Sequence, residues 1–172
     1  MARLVKLLVH LGPSLLLIAG GVAIGWALFA PSPSRTAQDV QRYHKGDSAP
    51  LVIGYDYYAS PVTVLIFLST HCRFCKDSIP FYQRLAALPT VQSGRARILG
   101  VFDEEESTAS TYLAKAGLGK LTARQIDEDK WVPATPTLIV VRNTGTVELS
   151  AVGRLTGASE DSVLRLVTAL AQ

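Results

Sequence analysis

The stretch VTVLIFLSTHCRFCKDSIPFYQRL, residues 62–85, joins two patterns end to end. Val62–Leu68 is a continuous apolar run, as in a strand buried on both faces. Ser69-Thr70-His71 interrupts it, and Cys72-Arg73-Phe74-Cys75 follows. From Cys72 to about Leu88 the apolar positions return at helical spacing, with Phe74, Ile79, Phe81, Leu85 and Leu88 predicted to share one broad face. The two cysteines thus fall between a buried strand and the first turn of a helix.

Working outward, Gly46-Asp47-Ser48-Ala49-Pro50 is a turn signal and Leu51–Tyr55 a second strand candidate. Toward the C-terminus, Ala96–Phe102 reads as another buried strand. Asp103–Glu106 is an acidic run, expected as solvated surface. Residues 107–116 are helical in pattern, ended by Gly117. Gln125–Asp127 is a short strand candidate. Thr137–Arg142 is a strong strand, Asn143-Thr144-Gly145 a hairpin turn and Val147–Val152 its partner. Residues 159–171 close the chain as a helix with apolar Val163, Leu164, Leu166, Val167 and Leu170. Strands alternating with helices, then a hairpin and a last helix, predict an α/β sandwich with a mixed sheet.

The 172 residues allow one ordinary domain, and a net charge of +3 is too balanced for a nucleic-acid binder. With 48% hydrophobic and 18% charged residues, global disorder is excluded. The pattern is uneven along the chain. No acidic residue precedes Asp39, and residues 11–30, LGPSLLLIAGGVAIGWALFA, carry no charge. As a helix they span roughly 30 Å, the thickness of a bilayer's hydrocarbon. Arg3 and Lys6 precede them, so the positive-inside rule keeps residues 1–10 in the cytoplasm. The expectation is a single-pass anchor in the cytoplasmic (inner) membrane over residues 11–30, a linker over 31–45 and a folded domain over 46–172 facing the periplasm or cell exterior. A cleaved signal peptide is the rival. Cutting after Ala30 places Leu28 at −3 and Pro31 at +1, a poor match to the small residues a cleavage site wants. Both readings export the domain.

A cysteine at a helix start meets free N–H groups and a positive dipole end, which favour a thiolate. Arg73 and Lys76 add positive charge nearby. Two cysteines on one turn can also close a disulfide, the first attacking a partner's disulfide and the second resolving the mixed one. Cys72 and Cys75 are therefore the candidate catalytic pair. No metal is expected: there is no second cysteine pair, and His10, His44 and His71 are the only histidines. Covalent haem wants a histidine directly after the second cysteine, where Lys76 stands.

Residues 46–170 resemble the thioredoxin superfamily, and in particular membrane-tethered thioredoxins of the TlpA type. The strand–CxxC–helix run carries the resemblance, with Pro80 eight residues after the first cysteine. Ala134-Thr135-Pro136-Thr137 looks like the family's cis proline opening a buried strand, and Gly46 to Pro50 resembles the subgroup's Gly-x-x-Ala-Pro opening. The resemblance implies a thioredoxin-like three-layer sandwich with a mixed sheet, preceded by one transmembrane helix. It implies a thiol–disulfide oxidoreductase, with Thr135 and Pro136 binding a partner's backbone and with no cofactor. The implied partners are exported proteins with thiols or disulfides, and a membrane electron donor. The chain departs from the family at three places. His71 replaces a tryptophan, Arg73-Phe74 replaces Gly-Pro between the cysteines, and Ile66 stands where many relatives bury an acid. His71, Arg73, Phe74 and Ile66 are accordingly the residues expected to tune the pair. Trp131 is read as core or rim packing.

Three other functions are open to such a pair. A peroxiredoxin-like peroxidase wants Pro-x-x-x-Thr/Ser-x-x-Cys; Ser69 matches, but Leu65 occupies the proline position. A copper chaperone wants a downstream histidine, and none follows His71. A non-catalytic thioredoxin-like scaffold would use the cysteines only to lock a helix end.

Overall fold

The computed structural model describes residues 42–126 and 131–172. Residues 1–10, 11–30 and most of the 31–45 linker lie outside the described residues, as does Asp127. Among the described residues no helix is long and apolar enough to cross a membrane.

Five strands form one mixed sheet: β1 (Val62–Phe67), β2 (Ala96–Phe102), β3 (Thr122–Gln125), β4 (Thr137–Arg142) and β5 (Val147–Val152), in the order β3-β2-β1-β4-β5. β2 runs parallel to β1 and to β3, whereas β4 is antiparallel to β1 and to β5. The apolar run at 62–67 is buried at all six positions because β1 is central and covered on both faces. Gly145, at φ +75°, closes the β4–β5 turn, donating its N–H to the Arg142 carbonyl at 2.9 Å.

Among the described residues there are five α-helices: α1 (Arg73–Asp77), α2 (Ile79–Ala86), α3 (Pro89–Gln92), α4 (Glu106–Lys115) and α5 (Ala158–Leu170). One face of the sheet is packed by them. Val62, Val64 and Ile66 of β1, Ile98 and Phe102 of β2, and Leu138 and Val140 of β4 meet Phe81, Tyr82, Leu85, Leu113, Val163 and Val167. Gly100 lets α4 approach β2 closely, since a Cβ there would sit 3.2 Å from a Leu113 methyl. The opposite face is covered by irregular chain. Tyr43, Val52, the 3₁₀ turn Tyr57–Ala59, Ile126 and Val132 pack on Leu65, Phe67, Leu99 and Val101, with Trp131 edge-on to Phe67 at 5.5 Å. The third layer of the sandwich is therefore built from loops and one short turn among the described residues.

Four expectations are corrected. Leu51–Tyr55 is not a strand: Val52 makes a single bridge to Ile126, and the chain turns at once through Gly54, at φ +67°. The helix after Cys72 is two helices, broken at Ser78. Pro80 in the first turn of α2 has no N–H to donate back to α1, so the ladder cannot continue. The break also changes the buried face to Cys75, Ser78, Phe81, Tyr82 and Leu85, leaving Phe74 59% exposed. Finally, the short strand lies at Thr122–Gln125, earlier than expected, where it pairs with Leu99–Phe102.

Candidate active site

Sheet register brings three distant segments together. Phe67, the last residue of β1, pairs with Val101 on one side and Thr137 on the other. Residues just after β1, just after β2 and just before β4 therefore meet at one end of the sheet. They are Ser69–Cys75, Asp103–Glu104 and Ala134–Pro136.

Cys72 is the N-cap of α1, with extended backbone, and its Sγ accepts the Cys75 N–H at 3.0 Å. The two cysteines are joined by a disulfide, their Cα atoms 5.2 Å apart. They are not equivalent. Cys72 is half-buried, whereas Cys75 is completely buried. Cys72 Sγ lies 3.4 Å from the Thr135 carbonyl oxygen, so in the reduced form a thiol there has an acceptor facing it. The Thr135–Pro136 peptide is cis, as the resemblance implied. Its loop is held from both sides: the Pro136 carbonyl accepts the Gly153 N–H at 2.7 Å, and Thr137 Oγ1 donates to the Ala134 carbonyl at 2.7 Å.

The structure thus brings Cys72, Cys75, Thr135 and Pro136 into one place. Of the expected tuning residues, Arg73 and Phe74 are exposed on the rim beside Cys72. His71 is also on the rim, its side chain 92% exposed. Ile66 is completely buried in the same apolar cluster as Cys75. Trp131 packs against Phe67 on the other side of the sheet, away from that cluster.

Glu104 was missed, because the acidic run at 103–106 reads as solvated surface. Its Oε1 accepts the Thr70 N–H at 2.8 Å and the Thr70 hydroxyl at 2.8 Å, with Ser69 Oγ at 3.3 Å. His71 Nδ1 stands 3.0 Å from Thr70 Oγ1 and 3.9 Å from Glu104 Oε1. Burial pushes the Glu104 carboxyl up, but the hydrogen bonds from the Thr70 N–H and hydroxyl, together with those from Asp103 and its own backbone, hold the group below the ordinary carboxylate range. Burial and the neighbouring Glu104 push Asp103 the other way, up. Ser69-Thr70 and Glu104 are separated by more than thirty positions. The signal that could have found the contact is that both follow strands which pair in parallel.

A partly buried cysteine at a helix start, bonded to a fully buried one and facing a backbone carbonyl beside a cis proline, defines a dithiol/disulfide centre on a thioredoxin-like α/β fold. No family model and no curated protein matches the chain. Solved structures do match. A Chlorobium tepidum protein provisionally named thiol:disulfide interchange protein DsbE superposes with a TM-score of 0.58 at 20% identity, over 75% of this chain and 99% of that one. A Bacteroides thetaiotaomicron protein provisionally named a protein disulfide isomerase gives 0.61 at 15% identity, over 75% and 91%. A thiol:disulfide interchange protein of the thioredoxin family from Chlorobium tepidum TLS gives 0.55 at 16%, over 73% and 98%. At these identities the likeness establishes the thioredoxin-like fold.

Proposed function

We propose that this chain is a membrane-anchored thiol–disulfide oxidoreductase acting on exported proteins through Cys72 and Cys75. The observation that carries this reading is the asymmetry of the pair: one sulfur reachable, the other completely buried. A partner thiolate attacks Cys72 Sγ, a new S–S bond forms, and the Cys72–Cys75 bond breaks with its electron pair going to Cys75. A second partner thiolate then attacks the partner's own sulfur in that mixed disulfide and releases Cys72 as thiolate. Two electrons have passed from partner to pair. Run backward, the same steps reduce a partner's disulfide, with Cys75 resolving the mixed one. Thr135, its carbonyl open toward Cys72, presents backbone for a partner strand to pair with, and Pro136 directs it.

The uncharged run at 11–30 behind Arg3 and Lys6 supports a single-pass anchor with residues 1–10 inside, and a domain facing the periplasm or exterior. Disulfide chemistry belongs to that compartment. In the reducing direction a membrane protein supplies the electrons. The test is Cys75→Ser in intact membranes. Mixed disulfides with exported proteins should accumulate through Cys72 and vanish in the Cys72→Ser, Cys75→Ser double variant. Recovery of the same adducts from the double variant overturns the reading. A reporter fused after Gln172 that is active only in the cytoplasm overturns the orientation.

A further inference from the structure

A chain of hydrogen bonds runs outward from the end of β2 to the rim of the site. Thr70 has one hydroxyl proton. Its Oγ1 lies 2.8 Å from Glu104 Oε1, and a carboxylate held ionised can only accept, so that proton points at Glu104. The Thr70 oxygen is then left to accept, and His71 Nδ1 lies 3.0 Å from it. Nδ1 must therefore carry a proton. In the neutral ring the free lone pair is on Nε2, because the hydrogen bond made by one ring nitrogen sets the state of the other. That ring is 92% exposed and belongs to the residue directly before Cys72.

We infer that Glu104 and Thr70 fix His71 as its Nδ1–H tautomer, and that Nε2 is the acid–base group for a partner's thiol at Cys72. The inference rests on the oxidoreductase reading above. As a partner thiol attacks Cys72 Sγ, its proton passes to Nε2. The partner S–Cys72 S bond forms, the Cys72–Cys75 bond breaks, and Cys75 keeps the electron pair. In the reverse step the imidazolium returns the proton to the departing partner sulfur. Glu104, 3.9 Å from Nδ1, offsets the positive charge that the ring gains. Glu104 and Thr70 are positioning residues, acting through His71. Cys75 is outside this relay: its sulfur is completely buried, and the ring is in solvent.

The surrounding charges leave this chain intact. Tyr112 of α4 is near enough to Glu104 for the carboxylate, after burial, to push its hydroxyl up. Lys115, also on α4, lines the same cleft as Thr70 and Tyr112. From β3, the Gln125 side chain donates to the Glu104 backbone carbonyl at 3.0 Å. The Asp103 carboxyl lies against Glu104, where the interaction raises Asp103 and lowers Glu104, so it helps keep Glu104 the ionised member, and Arg73 and Lys76 on α1 are exposed. Among the described residues, only Thr70 and Glu104 have polar atoms against the His71 ring.

Two measurements on the full chain in lipid nanodiscs test this. Nitrogen-15 NMR of the imidazoles, with His71 assigned from the His71→Asn spectrum, should show the Nδ1–H tautomer in the neutral ring. Thr70→Val and Glu104→Gln should shift it toward Nε2–H. An Nε2–H ring in the wild type overturns the relay. The second measurement is the rate at which a single-cysteine peptide opens the Cys72–Cys75 disulfide, from pH 6 to 9.5. His71→Asn should slow it roughly tenfold near pH 7, less than a fully enclosed acid–base group contributes. The loss should disappear above the peptide thiol's own pKa of about 8.5, where thiolate forms without a base. Thr70→Val and Glu104→Gln should show smaller losses of the same shape. A His71→Asn rate equal to wild type near pH 7, or equally low at every pH, overturns the relay and leaves the oxidoreductase reading standing. A wild type that never opens its disulfide overturns the reading itself, whatever tautomer the ring holds.

Discussion

Around Cys72 the site is open and polar; around Cys75, one helical turn on, it is closed and made of hydrocarbon. The rim holds His71, Arg73, Phe74 and the Thr135 carbonyl, all at least partly exposed. The floor holds Ile66, Leu68 and Leu138 in one buried cluster with Cys75. Besides Cys75, Tyr82 is a titratable side chain buried in that cluster, and burial keeps its hydroxyl protonated far above neutrality. The contrast separates two kinds of proton traffic. A partner's sulfur reacts where water and an imidazole can take its proton. Cys75 must lose its proton in surroundings that disfavour a thiolate. Resolution by Cys75, not attack at Cys72, is the step such a floor slows.

The largest effect that would break the contrast is at the cysteines. Cys72→Ser should reduce exchange to background, and Cys75→Ser should stop turnover at the mixed disulfide. In the reduced wild type a small alkylating reagent should modify Cys72 well before Cys75. Equal rates on the folded protein would show that rim and floor are not distinct.

Next comes Ile66→Asp, which places a carboxyl group in the floor. It should cost about 2–4 kcal/mol of stability in a urea titration, since a polar group replaces packed hydrocarbon. It should also speed mixed-disulfide resolution near neutral pH, where the wild-type rate rises with pH. An unchanged resolving rate from pH 6 to 9 would mean that the floor already has a route for the proton.

Phe74→Ala tests the rim alone. The ring is 59% exposed, so the fold should change by no more than about 0.5 kcal/mol. A partner that covers the ring should lose about 1 kcal/mol, read as roughly a fivefold rise in KM at constant kcat. A fall in melting temperature with unchanged KM would assign Phe74 to the core.

The smallest effect concerns acid. Glu104 sits below its ordinary value in the fold, so its contribution is complete above the unfolded carboxyl pKa and is lost as pH falls through the folded value. Asp103 is raised and acts oppositely, its protonation favouring the fold as pH falls. The net acid limb should be shallow. Glu104→Gln should flatten the loss and Asp103→Asn should steepen it, as read from urea midpoints between pH 3 and 6.

Elements whose sequence pattern repeats locally were legible. Val62–Leu68, Ala96–Phe102 and Thr137–Arg142 are apolar runs, and the sheet places all three as strands, the first ending one residue earlier, at Phe67. α4 and α5 start within a residue of the read boundaries, since Gly117 and the 3.6-residue period mark them. The loop-covered face was not legible. Val52, Tyr57 and Ile126 are held by side chains dropped singly onto the sheet, which leaves no period to read. The same holds for Phe74, whose place on the rim depends on the break at Ser78 rather than on its spacing.

The chemistry of the site divides along the same line. The sequence alone determined the cysteine pair, its position after a buried strand, and an apolar residue at position 66, because each is a matter of residues adjacent or in a single element. Tertiary structure decided which sulfur is reachable, that Thr135 faces Cys72, and that Glu104 reaches back to Thr70 and His71. Those contacts join strand ends more than thirty residues apart. They arise from the pairing register of β1 with β2 and β4, which depends on how whole strands pack and which no local pattern encodes.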